Sequence, residues 1–144
     1  MKFYTLFFLF ISSLIFSQNE IGLPLNDIKN RFKDSKYKLE QIVQEDGSIS
    51  LSVKLESAYA TYYFDNDSYE LSNTLVITPF NKSSLEDYIK KYDSKYKRAN
   101  STKIKWVVET KLSNDISIVE NIHLSKMSVD GEEDFFVLIW SFEN

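Results

Sequence analysis

Ile49-Ser50-Leu51-Ser52-Val53-Lys54-Leu55 decides the fold. Apolar and polar residues alternate through it without a fault, the period of a strand with one dry face and one wet face. Asp46-Gly47 stands just before it, and Asp-Gly supplies the positive φ of a tight hairpin turn. The preceding segment with Tyr37, Leu39 and Val43 therefore reads as its antiparallel partner. Downstream, residues 58–64 form a third strand, Asp65-Asn66-Asp67-Ser68 a turn, and residues 71–78 a fourth strand that Pro79 ends by withholding a ladder donor.

A helix is expected on each side of this meander. Leu25, Ile28 and Phe32 lie on one helical stripe, with Pro24 at the first turn, where its missing N–H is not needed. Ser83-Ser84-Leu85-Glu86 has the form of a capping box with Ser83 as the N-cap. Leu85, Tyr88, Ile89, Tyr92 and Tyr96 follow as an apolar stripe. Residues 104–110, 116–124 and 135–142 read as further strands, with turns at Ser113-Asn114-Asp115 and Asp130-Gly131.

The expected fold is α+β: an antiparallel sheet of about seven strands with two helices packed on one face, in the order α-β4-α-β3. A second arrangement is two helix-plus-meander units side by side with a seam between them. Asp34-Ser35-Lys36-Tyr37-Lys38 recurs as Asp93-Ser94-Lys95-Tyr96-Lys97, each copy at the end of an expected helix, which suits such a repeat. The helix-plus-four-strand order resembles cystatin-like and other small secreted binding folds. The resemblance is one of element order and implies no residue roles.

The N-terminus reads differently. Lys2 precedes an apolar run over residues 3–16, and Ser17 closes it with a small side chain. That order is a secretory signal peptide, and the run is short for a membrane-spanning helix. The expectation is a signal peptide over residues 1–17, a single α+β domain over 18–144, and an exported product, periplasmic or secreted. No cysteine follows the run, so no lipid anchor is expected at a new N-terminus. The chain's 144 residues include no cysteine at all, so its core must hold without disulfides. A net charge of −4 argues against nucleic acid as a partner.

Chemistry is sparse. His123 is the one histidine, with Asp115 and Glu120 near it in sequence, and an acid–base role would need one of these within hydrogen-bond reach. Asp130, Glu132, Glu133 and Asp134 cluster, as do Asp65, Asp67 and Glu70, but neither group matches a calcium-binding loop, and both read as turns. The basic residues between Lys82 and Lys105 read as the solvated face of the second helix and its loop. No catalytic set, metal site or cofactor is expected.

Aromatic residues are abundant, with nine tyrosines, eleven phenylalanines and two tryptophans. Tyr59 and Tyr63 alternate with Tyr62 and Phe64, and strand 135–142 is apolar on both of its faces. A sheet with helices on one side should be wet and polar on the other, so an apolar patch there marks either a partner surface or a last strand that is central and covered twice, by a loop or by sheet curvature. Tyr59, Tyr63, Phe136, Leu138 and Trp140 are the candidates. The expected function is that of a small exported, non-catalytic binding or inhibitor-like module. Its aromatic sheet face would meet a protein or a glycan, with a homodimer as one form of such contact. A small carboxylate- and histidine-dependent hydrolase and an envelope structural protein are the alternatives.

Overall fold

The structure, a computed structural model, describes residues 21–64, 71–99, 104–111, 113–114 and 116–142. The expected signal peptide lies outside the described residues, as do Asp115 and the turn at residues 65–68.

Helix α1 spans Leu25–Lys33 and buries Ile28, with Leu25 and Phe32 half-buried on the same stripe. Pro24 is its N-cap and accepts the first helical bonds from Asp27 and Ile28. Four strands follow: β1 (Leu39–Val43), β2 (Ile49–Lys54), β3 (Ala58–Phe64) and β4 (Ser72–Pro79). Gly47 turns β1 into β2 with φ of 84°, a backbone conformation that glycine reaches without Cβ strain. Helix α2 spans Lys82–Lys95. Four more strands complete the chain: β5 (Lys97–Arg98), β6 (Lys105–Lys111), β7 (Ser117–Met127) and β8 (Phe135–Phe142).

All eight strands form one antiparallel sheet in the order β1-β2-β3-β4-β8-β7-β6-β5. The antiparallel α+β class is as expected, but the sheet has eight strands rather than about seven and the order is α-β4-α-β4. The extra strand is β5, two cationic residues too short to carry a period. The seam arrangement describes the topology best. Each helix is followed by its own four-strand meander, and the two meanders meet through their last strands.

The seam has local two-fold symmetry. β4 and β8 have eight residues each, and Val76, the fifth of β4, pairs with Ile139, the fifth of β8. Equivalent positions of the two units thus face each other across the axis. The two copies of the pentapeptide sit differently: residues 34–38 follow α1, whose C-cap is Asp34, whereas Asp93, Ser94 and Lys95 belong to the last turn of α2 and Tyr96 is its C-cap. In both copies a lysine ammonium lies 5.1 Å from the ring of the next tyrosine, Lys36 over Tyr37 and Lys95 over Tyr96.

Both helices lie on one face of the sheet and share one core. Alternate strand residues feed it: Leu51 and Val53, Ala60 and Tyr62, Leu75 and Ile77, Leu138 and Trp140, Ile122, Trp106 and Val108. Tyr92 of α2 packs edge-on against Trp106 and Trp140, at ring separations of 5.5 and 5.7 Å. Trp140 Nε1 donates to Tyr92 Oη at 3.2 Å, and Trp106 Nε1 donates to Asp93 Oδ1 at 2.8 Å. Asp93 in turn accepts two bonds from the Arg98 guanidinium. One corrected detail concerns the start of α2. Its N-cap is Asn81, whose side chain accepts from the Ser84 backbone N–H at 2.9 Å, not Ser83.

Candidate binding face

Strand β8 is apolar on both sides because it is central. Its even-numbered residues face the helices. There Trp140 lies between Leu75 and Ile122, and Leu138 between Ile77 and Leu124. Its odd-numbered residues Phe135, Val137 and Ile139 face the side that no helix covers.

This divides the five candidate residues. Trp140 and Leu138 are 1% and 0% exposed, so they belong to the sealed core and offer nothing to a partner. The correction has a simple cause: the alternation showed two faces, and the helices took the even one. Phe136 is on the helix side but projects beyond the end of that core and is exposed. Tyr59 and Tyr63 are exposed on the opposite, open side.

The open side contains a shallow groove of about 500 Å³, centred on the seam. Half-buried Val76, Phe135 and Ile139 line it with exposed Tyr63 and Met127, Val137 forms its floor at only 3% exposed, and Asn73, Thr74 and Thr78 add hydroxyls and an amide. None of these side chains is charged. Phe135 also lines a neighbouring cleft of about 560 Å³, with Phe136, Pro79, Phe80 and Leu85 and with the charged Lys82, Glu133 and Asp134 at its rim. Phe80 meets Tyr59 edge-on at 5.2 Å, and the Lys54 ammonium lies over both rings at 5.7 and 5.9 Å. The structure therefore links Tyr63, Phe136 and Tyr59 through two residues that sequence reading did not single out, Phe135 and Phe80. Phe135 was legible as the other half of the β8 alternation. Phe80 stands between a strand and a helix, where no period marks it.

Asn121 and His123 of β7 are also on the open side, in register with Ser141 and Ile139. Asn121 is buried there, and its Oδ1 has no hydrogen-bond donor among the described residues. Glu120, three residues from His123 in the same strand, points to the helix side and is buried against the core. The sheet therefore separates the histidine from the glutamate that sequence proximity had placed beside it. Among the described residues no group of three or more His, Cys, Asp or Glu is placed to hold a metal ion.

Other charged groups serve turns and surface pairs. In the β7–β8 turn, Asp134 accepts from Lys126 Nζ and from Ser128 Oγ, which hold its carboxyl below the usual range, the lysine bond foremost. Lys36 and Glu56 form an exposed ion pair, which raises the lysine pKa and lowers that of the glutamate. Among the described residues no helix is long and apolar enough to cross a membrane.

Comparison with protein-family models, with curated proteins and with solved structures finds no match, so the site is read from its own geometry.

Proposed function

We propose that the chain is an exported, non-catalytic binding or inhibitor-like module, and that its recognition surface is the open side of the sheet. One observation carries this reading. A neutral, apolar groove lies across the centre of the face that the helices leave uncovered, and it runs through Phe135 into an aromatic cleft. An antiparallel sheet with one covered face normally presents a polar second face, and an apolar departure from that pattern marks a contact surface. The ligand chemistry is that of a protein or a glycan. Aromatic rings offer flat contact area, Thr74, Thr78 and Asn73 offer hydrogen bonds, and no lining charge of the groove demands a charged partner.

The test uses the mature chain beginning at Gln18. It should enhance the fluorescence of ANS, and Tyr63→Lys combined with Met127→Lys should reduce that enhancement several-fold without lowering the melting temperature. A mature chain that leaves the dye dark sinks the proposed surface. N-terminal sequencing of the product made in its host should begin at Gln18, and recovery with residues 1–17 attached removes the export claim.

A further inference from the structure

The two edges of the sheet are unlike. β5 consists of Lys97 and Arg98, and a short cationic edge is one of the ways native sheets prevent another strand from adding. β1 has five residues and no proline, and β2 is its sole neighbour in the sheet. It also leaves Ile42 and Val43 45% and 62% exposed.

The outward backbone groups of β1 can be identified. Gln44 N–H donates to the Ser48 carbonyl at 2.8 Å, so Gln44 turns its backbone toward β2. Antiparallel ladders alternate, so Ile42 and Glu40 turn theirs inward as well, while Leu39, Gln41 and Val43 turn theirs out. None of these last three carries a charge. The flanks are charged with opposite sign: Lys36 and Lys38 precede the strand, and Glu45 and Asp46 follow it.

We propose that β1 pairs antiparallel with β1 of a second copy, centred on Gln41, and joins two eight-stranded sheets into one. In this register Leu39 of each copy lies opposite Val43 of the other, and Gln41 lies opposite Gln41. These are the positions whose N–H and C=O groups point outward, so each pair can exchange both hydrogen bonds. The basic flank of each copy meets the acidic flank of the other, with Lys36, which also pairs with Glu56 of its own copy, opposite Asp46 at both ends. Other even registers satisfy the backbone, but centring on Glu40 sets two carboxylates side by side, and centring on Ile42 takes Leu39 out of its apolar pairing. The two-fold axis is perpendicular to the sheet, so the helices of both copies stay on one side and both grooves stay on the other.

Sedimentation of the mature chain should give twice the monomer mass. Gln41→Pro removes an outward donor at an edge position where proline is tolerated, and should give a monomer with an unchanged circular dichroism spectrum and a melting temperature that, unlike the wild type's, does not rise with protein concentration. The chain has no cysteine, so Gln41→Cys offers a single thiol at the axis. Under mild oxidation it should form a disulfide-linked dimer about tenfold or more faster than Glu132→Cys in the exposed β7–β8 turn, because pairing raises the effective concentration of the two thiols. A monomeric wild-type chain, a dimer that survives Gln41→Pro, or equal oxidation rates at the two cysteine positions each overturn the proposal. None of these readouts depends on dye binding at the open face, so this pairing and the binding surface can fail separately.

Discussion

Tyr92 holds the most connected position in the core. Its ring meets both tryptophans edge-on, and its hydroxyl accepts the indole N–H of Trp140 where both residues are buried. Tyr92→Phe keeps the ring contacts but leaves that N–H without this acceptor. A buried donor left unmade costs about 1–3 kcal/mol, which a shift in the urea unfolding midpoint will measure. At the surface, Asp134 accepts from Lys126 and Ser128, which lower its pKa. Its folded pKa lies below the unfolded one, so its contribution to stability is complete above the unfolded value and fades as pH falls through the folded value. Lys126→Ala should move the Asp134 titration, followed by NMR, upward toward the ordinary carboxylate range. A titration that stays in place would show that the lysine is not the cause. The Lys36–Glu56 pair is bounded at both ends. It weakens in acid as Glu56 protonates, and in alkali as pH rises through the raised pKa of Lys36.

At the scale of elements, what a local pattern encodes was legible, and what a distant strand decides was not. β2 is the plain case, since its alternation fixed both its extended form and its buried side. The start of α2 is subtler. Ser83-Ser84-Leu85-Glu86 has the form of a cap, yet Asn81 two residues earlier takes the role because its amide oxygen reaches the Ser84 N–H. Asn81→Ala should cost about 0.5–2 kcal/mol, the loss of an N-cap, while Ser83→Ala should stay within about 0.5 kcal/mol. Equal effects in thermal denaturation would return the cap to Ser83. β5 had no local signal because two charged residues show no alternation. β8 had too much signal, because both of its faces are apolar. Its neighbours β4 and β7 settle which face meets the helices, and β4 is remote in sequence. That is why alternation alone assigns Leu138 and Trp140 to an open surface to which they do not belong and gives Phe135 no weight.

For the whole molecule, the helix-plus-strands order of each half was legible in the sequence, but not the way the two halves join. The join is an antiparallel contact between equivalent strands, the geometry two identical subunits would use, here within one chain. The groove lies over this join, so each unit contributes to it: Tyr63, Thr74 and Val76 from the first, Met127, Phe135 and Ile139 from the second. Neither unit holds the candidate site alone. A surface built this way depends on the register of the seam, because a slip of one residue would turn Val137 and Ile139 inward and Leu138 outward.

The placement of β8 also has a consequence for truncation, because this strand is a middle plank between β4 and β7. A stop or a protease nick ahead of Phe135 would remove the centre and leave β4 and β7 as raw borders with unmet backbone groups. Such a fragment is a template for clumping rather than a smaller working protein.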